Sequence, residues 1–153
     1  MPSTYWHFAG KDEIFLALFD RFNREIFAAW DEDSSSSALE TLRIESEVVL
    51  ETLLRDRTLV ETWTEFLKHP LARERFASIY EMSRARFETT IQDGIQTGEI
   101  APCEARHAGS MLIALVEGLL LQALADPSFD PMGAWPTTWE IVSRGLASPV
   151  ESS

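Results

Sequence analysis

The stretch that decides the fold is STYWHFAGKDEIF, residues Ser3–Phe15. It opens with hydroxyl, aromatic and imidazole side chains that end at Gly10, and a long amphipathic helix is predicted to begin at Lys11. From Lys11 to about Trp30, apolar residues recur at the i, i+4 and i+8 spacing of one helix face. The stretch therefore predicts a helical protein with a short, chemically distinct segment before its first long helix.

The same helical periodicity continues along the rest of the chain. Ser37 and Glu40 have the spacing of a capping box, which opens a helix, and Gly98 fits a left-handed cap at a helix end. The predicted helices cover roughly residues 11–30, 37–55, 59–68, 71–97, 104–125 and 137–146. No strand alternation stands out. The sequence therefore predicts an all-α fold, a helical bundle of about six helices.

Composition describes an ordinary globular chain with an acidic body. The 153 residues suit one domain, with 45% hydrophobic and 25% charged residues. The net charge of −12 argues against a broad nucleic-acid surface, although residues 1–30 are close to neutral. A nucleic-acid end joined to an acidic partner- or ligand-binding body would have this distribution.

Other features limit where the protein works. Cys103 is the single cysteine, so an intrachain disulfide is excluded. No basic-then-apolar leader is present, and the longest apolar run, Met111–Leu121, is interrupted by Glu117 and is shorter than the ~18 residues of a membrane helix. A cytoplasmic protein without a membrane partner is expected. The helix at about 104–125 is apolar on nearly every side, which predicts burial by its own domain or by a second subunit.

Enzyme chemistry finds little support in the sequence. Glu104-x-x-His107 has the spacing of one half of a carboxylate-bridged di-iron site, but a second such motif is missing. The histidines share no metal-ligand spacing, and no phosphate-binding glycine loop or Gly-x-Ser-x-Gly nucleophile motif occurs. We expect no catalytic residues, no metal and no cofactor.

The N-terminal segment has groups suited to DNA contact. Thr4, Tyr5, Trp6 and His7 offer hydrogen-bond donors, and Lys11 adds a positive charge at the start of the next helix. Such groups position a protein on phosphates, whereas contacts to base edges specify sequence. Tyr5 or Trp6 could equally pack into the core.

The residues Tyr5–Ile14 resemble the end of the DNA-reading helix in tetracycline-repressor (TetR) family regulators, whose signature runs roughly Tyr-x-His-Phe-x-x-Lys-x-x-Leu. Gly98–Pro102, together with the apolar helix that follows it, resembles the C-terminal domain of one TetR subgroup. The resemblance implies that Tyr5, His7 and Lys11 contact the DNA backbone and that Thr4 contacts backbone or bases. Trp6 completes the set of DNA-binding candidates.

The resemblance also implies an organisation. Family members carry about two further helices before this point, so residues 1–10 are expected to be a remnant of a helix-turn-helix domain, N-terminally truncated. Residues 11–148 would form the ligand-binding and dimerisation domain. The implied partners are a second copy, paired through helices at about 104–126 and 137–147, a small-molecule inducer, and operator DNA if the N-terminus is complete in the cell. The implied function is repression; the alternative is a dimerising ligand sensor or interaction module that no longer binds DNA.

An inducer cavity among the long helices would be mostly apolar with a few polar groups. The candidate ligand-binding residues are Trp63, Phe66, Phe76, Tyr80, Phe87, Met111 and Glu117. Each aromatic residue could equally be ordinary core. Glu117 lies amid apolar residues and needs a partner, which could be an arginine across a subunit interface. A cationic or amine-bearing ligand would follow only if Glu117 faces the cavity.

Overall fold

The structure, a computed structural model, describes residues 2–32, 37–68 and 70–149, with the side chains of residues 2–9, 11, 32, 59, 66 and 71 outside the description. Over these residues the chain forms six helices and no strand. They are α1 (Pro2–Glu32), α2 (Ala38–Leu54), α3 (Arg57–Phe66), α4 (Pro70–Thr97), α5 (Ala105–Ala125) and α6 (Pro131–Leu146). The predicted all-α bundle is confirmed.

The first helix is longer than its sequence pattern predicted. It runs without a break from Pro2 to Glu32, so the prediction that it begins at Lys11 was wrong. Gly10 keeps the backbone angles of the helix. Among the described residues, only Gly98 has a positive φ. A glycine inside a helix costs about 1 kcal/mol relative to alanine, which weakens a helix without ending it. The boundary predicted between residues 10 and 11 therefore falls inside one helix.

The last helix also begins earlier than predicted, at Pro131 and not at Thr137. Asp130 caps it, because the Asp130 carboxylate accepts a hydrogen bond from the Gly133 amide at 3.0 Å. Pro131 suits the first helical position, where the missing amide hydrogen has no intrahelical partner to lose. Pro136 also lies inside the helix, so α6 includes two prolines that precede the predicted helix of residues 137–146.

The start of α2 is closed by residues from two parts of the chain. Ser37 is the N-cap, and its side chain accepts from the Glu40 amide at 3.2 Å, as the capping-box spacing predicted. The carboxylate that the capping box would take from Glu40 comes instead from Glu99. Glu99 accepts hydrogen bonds from the Ala38 amide at 2.8 Å and the Leu39 amide at 3.1 Å. Glu40 itself binds Arg43. Glu99 thus ties the loop after α4 to the start of α2, and the predicted left-handed cap at Gly98 (φ 79°) is confirmed.

The C-terminal end of α1 is fixed to α2 and α4 by a partly buried ion pair. Glu45 on α2 is fully buried, and its carboxylate accepts from Arg86 Nε at 2.7 Å. Arg86 also donates to the Trp30 carbonyl at 3.1 Å, and Trp30 Nε1 donates to the Glu45 carbonyl at 3.0 Å. Three helices therefore meet at one charged contact, which we call the Arg86 clamp.

Helix α5 supplies apolar residues to both halves of the core. Val116, Leu119 and Leu120 pack in one buried cluster, and Leu112 in the other. Gly109 lets α5 approach α4 closely, because a Cβ atom there would lie 3.1 Å from the Phe87 Cβ. Of the described residues, α5 is the one helix long and apolar enough to cross a membrane, a test that core helices of soluble proteins also pass. The apolar run Met111–Leu121 is still interrupted by Glu117, and the helix passes because the mean hydropathy also counts the apolar residues on both sides of that glutamate.

We predict that Glu99→Gln lowers the free energy of unfolding by about 1 kcal/mol at neutral pH, because it weakens charge-assisted hydrogen bonds at a helix N-terminus. Burial alone would raise the pKa of Glu99, but hydrogen bonds from Ser37, Leu39 and Ala38 hold that pKa below its usual value of 4.5. The stabilising effect is therefore present above pH 4.5 and is lost as the pH falls below it. Urea unfolding at several pH values measures the difference.

The matched control is Glu104→Gln, because Glu104 is the N-cap of α5 but makes no side-chain cap hydrogen bond. It should leave stability nearly unchanged. If the Glu99→Gln loss persisted unchanged at pH 3, ionised Glu99 would not be the stabilising species.

Candidate ligand cavity

An aromatic cavity lies between helices α1 to α5. The cavity volume is about 80 Å³, which is room for a few waters or a small organic group. Its described lining residues are Phe19, Phe22, Asn23, Ile26, Phe27, Trp30, Ser46, Val49, Leu53, Trp63, Phe76, Ile79, Tyr80, Ser83, Phe87, Ile113, Val116 and Glu117. A mostly apolar wall with a few polar groups is the usual composition of a small-molecule site.

One wall of the cavity is a face of α1. Phe19, Phe22, Ile26 and Trp30 follow the helical repeat and are all buried. Phe19 packs against Phe76 of α4 with ring centroids 4.3 Å apart. Aromatic contacts of this kind fix the position of α1 across the cavity.

The sequence-predicted ligand residues separate into three groups. Trp63, Phe76, Tyr80, Phe87 and Glu117 line this one cavity although they come from three helices. Met111 does not line it, because its side chain lies on the outer face of α5 and is 41% exposed. The side chain of Phe66 lies outside the described part of the chain.

Sequence reasoning missed the contribution of α1 and of α2. The apolar stripe of α1 was visible, but a stripe at helical spacing looks the same whether it faces a packed core or a cavity. Ser46 and Val49 gave no signal of their own. Only the packing of α2 against α1 reveals that they line the space.

Glu117 and Tyr80 form the main polar pair of the cavity. The Tyr80 hydroxyl donates a hydrogen bond to Glu117 Oε1, joining α4 to α5. Burial raises the pKa of Glu117, and the hydrogen bond from Tyr80 opposes this only in part. Burial, together with the adjacent carboxylate, raises the pKa of Tyr80, so the phenol stays protonated.

Two buried polar atoms belong to residues that line the cavity. Trp63 Nε1 and Ser46 Oγ have no hydrogen-bond partner among residues 2–32, 37–68 and 70–149. An unsatisfied buried donor costs about 1–3 kcal/mol, so such groups call for a water or a ligand.

The DNA-binding candidates Thr4, Tyr5, Trp6 and His7 have backbones within α1, as does Lys11, and their side chains lie outside the description. In the described part of the chain, no three His, Cys, Asp or Glu side chains gather in a group suited to a metal ion. Cys103 is exposed.

Comparison with known proteins identifies the family. The sequence model described as "BetI-type transcriptional repressor, C-terminal" matches residues 39–148, well over half of the chain. The protein belongs to the TetR family of transcriptional regulators. Response to a ligand and repression are general features of TetR regulators, which act on DNA as dimers.

Solved structures share the TetR fold at low sequence identity. The ketosteroid transcriptional regulator KstR2 of Mycobacterium tuberculosis is 18% identical, with a TM-score of 0.75 over 96% of this chain and 78% of its own. A TetR regulator from Chloroflexus aurantiacus J-10-FL is 21% identical, with a TM-score of 0.70 over 92% and 74%. A protein of unknown function from Rhodococcus sp. RHA1 is 18% identical, with a TM-score of 0.71 over 88% and 72%. No curated protein sequence matches this TetR chain.

We predict that Glu117→Gln removes a pH-dependent loss of stability. A carboxyl with a raised pKa binds its proton more tightly in the folded state. Its contribution to the free energy of unfolding is therefore full below pH 4.5 and declines as the pH rises through the raised pKa. Glutamine keeps an acceptor for Tyr80 and cannot ionise. The melting temperature of the variant minus that of the wild type should increase between pH 4.5 and 7.5. For Glu51→Gln, at an exposed site on α2, the difference in melting temperature should not change with pH. The same result for Glu117→Gln would contradict the prediction.

Proposed function

We propose that this TetR-family chain is a small-molecule-responsive repressor whose ligand occupies the aromatic cavity. The observation that carries the proposal is that α1 forms one wall of the cavity and continues unbroken to the DNA-binding candidates at residues 4–7. A ligand that alters the packing of Phe19, Phe22 or Trp30 necessarily alters the position of this helix. The protein acts in the cytoplasm and without catalysis.

The linkage between ligand and DNA follows from the geometry of a dimer. Two recognition helices must match successive major grooves, about 34–36 Å apart. A ligand that prefers one position of α1 shifts the population towards a dimer with a different separation. The extent to which repression is released would then depend on how much more tightly the ligand binds one dimer geometry than the other.

The proposed dimer interface uses α5 and α6. Leu121 and Met111 on the outer face of α5 are 48% and 41% exposed, and Ile141 on α6 is 67% exposed. Along α5, residues 107, 111, 114, 118 and 121 alternate steps of four and three, the spacing of a helix–helix seam. Exposed apolar side chains on neighbouring helices favour coverage by a second copy.

We predict that Leu121→Glu and Ile141→Glu each weaken self-association at least about tenfold, because each would bury a charge in an apolar interface. Sedimentation equilibrium should give twice the 17.3 kDa chain mass for the wild type and a shift towards the monomer for both variants. Met82→Glu on α4 is the control, since Met82 is 52% exposed but lies outside the proposed interface. A monomeric wild type, or dimerisation unaffected by either variant, would argue against this interface.

We predict that Lys11→Ala weakens DNA binding uniformly across sequences and reduces the salt dependence of log K by about 0.9, the value for one phosphate contact. The protein, expressed from its native gene, would be used to select genomic duplexes, which are then titrated at several salt concentrations. Lys68→Ala removes an equal charge in the exposed turn that follows α3 and should have little effect. Absence of any salt-dependent binding by the wild type would favour the dimerising sensor that no longer binds DNA.

A further inference from the structure

Helices α1 and α4 are joined by two aromatic contacts that have the same spacing on both helices. Phe19 lies against Phe76 with ring centroids 4.3 Å apart, and Trp30 lies against Phe87 with centroids 5.4 Å apart. Eleven residues separate the two contacts on each helix. Eleven residues make about three helical turns, or roughly 16 Å. The two helices therefore run in the same direction, with the cavity between the two contacts.

An ion pair lies beside each aromatic contact. Asp20 pairs with Arg75 at 3.4 Å, and Asp31 pairs with Arg86 at 3.8 Å. These pairs repeat the eleven-residue spacing, which keeps side chains on one face of a helix. Each aromatic contact and its neighbouring ion pair thus form one cross-connection between α1 and α4. We call the two connections the N-terminal rung and the C-terminal rung, after their order along both helices.

Between the two rungs, each helix presents half-buried side chains to the cavity. They are Asn23 and Phe27 on α1 and Ile79 and Ser83 on α4. With the residues of the ion pairs they follow steps of three and four, so they form one edge of each helix. In the described part of the chain, no hydrogen bond or ion pair joins these two edges between the rungs. We call the space between the edges the window.

The other walls of the cavity are held by direct contacts between helices. Tyr80 on α4 is hydrogen-bonded to Glu117 on α5. A Cβ atom at Gly109 would lie 3.1 Å from the Phe87 Cβ, so α4 and α5 pack closely. The Trp30 indole is hydrogen-bonded to a carbonyl of α2. Opening at the window breaks none of these contacts.

The two rungs differ in how firmly they are held. At the C-terminal rung, Arg86 also binds the fully buried Glu45 at 2.7 Å and the Trp30 carbonyl at 3.1 Å. At the N-terminal rung, Arg75 is exposed, and Asp20 is its one charged partner among the described residues. An exposed ion pair contributes little to stability. Separation at the N-terminal rung is therefore the easier of the two.

We propose that a ligand enters and leaves the aromatic cavity through the window between α1 and α4. The window opens when the N-terminal rung separates, with the Asp20–Arg75 pair as its latch and the C-terminal rung as its hinge. Phe27 and Ile79, the bulkiest apolar side chains at the window edges, move apart as it opens. The inference rests on the proposed function, because it describes how the ligand of that cavity is exchanged.

Two tryptophans report on the window without any added ligand. Trp63 Nε1 and Trp135 Nε1 are both buried and have no hydrogen-bond partner in the described chain. Trp63 lines the cavity, whereas Trp135 packs in the core and is not a lining residue. Exchange of an indole N–H with heavy water requires water to reach it. NMR of the isotope-labelled protein, with signals assigned by Trp63→Phe and Trp135→Phe, therefore measures access to the cavity at Trp63 and general opening of the core at Trp135.

Removal of the latch should speed exchange at the cavity alone. Arg75→Ala should accelerate Trp63 exchange about two- to fivefold, the effect expected from loss of an exposed ion pair, and leave Trp135 unchanged. Arg21→Ala is the control, because it removes an equal charge and an ion pair to Glu25 that lies within α1. It should change neither tryptophan. Unchanged Trp63 exchange in Arg75→Ala, or equal acceleration of both tryptophans, would overturn the proposal.

A cross-link across the latch makes the opposite change. Asp20→Cys and Arg75→Cys, combined with Cys103→Ser, would be joined by a bifunctional methanethiosulfonate, which a thiol reductant removes. The cross-link should slow Trp63 exchange at least about tenfold, with recovery after reduction and no change at Trp135. The comparison is made within one protein, so effects of the substitutions on folding cancel. Trp63 exchange that is the same with and without the cross-link would refute the window.

The exchange measurements and DNA binding test the two proposals separately. Release of DNA by a ligand, with Trp63 exchange indifferent to the latch, would refute the window while leaving the ligand-responsive repressor intact. Trp63 exchange that follows the latch, with no ligand able to alter DNA binding, would support the window and count against the proposed repressor mechanism.

Discussion

The Arg86 clamp is the contact on which the arrangement of the helices depends. It joins a fully buried Glu45 on α2 to Arg86 on α4, and both bind the last turn of α1 through Trp30. Such a pair adds little net stability over an apolar contact, but removal of Arg86 would leave the buried Glu45 carboxylate as a costly uncompensated charge. Its main physical effect is therefore geometric, since it holds one end of α1 at a defined point.

A fixed end gives direction to any movement of α1. The residues of α1 that line the cavity begin at Trp30, beside the clamp, and continue to Phe19 towards the N-terminus. A small displacement near Phe19 is therefore amplified along the rest of a 31-residue helix, whereas a displacement at Trp30 is resisted by the clamp. Under the proposed function, this geometry would link the occupancy of the cavity to the position of residues 4–7 without a separate mechanical element.

Most of the fold could be predicted from the sequence, because helical periodicity and capping are local signals. The errors arose where a local signal competed with its context: Gly10 did not end α1, and Pro131 opened α6 where the sequence suggested a loop. The candidate site was harder. Tyr80 and Glu117 are 37 residues apart in sequence and meet only through the packing of α4 on α5, so their pairing could not be deduced from spacing. Met111 shows the opposite case: it is an apolar residue on the outer face of a helix that is apolar all round, and it does not line the cavity.

The cavity combines features that reduce the stability of the free protein. An incompletely filled core loses dispersion contacts, and both the half-buried Glu117 carboxylate and an indole N–H without an acceptor in the described chain lose hydration. A ligand that restores these interactions binds the folded state alone and stabilises it by mass action. Because α1 forms one wall, part of that binding energy depends on where α1 lies. Under the proposed function, the same features that weaken this region as a core would couple ligand binding to the position of α1.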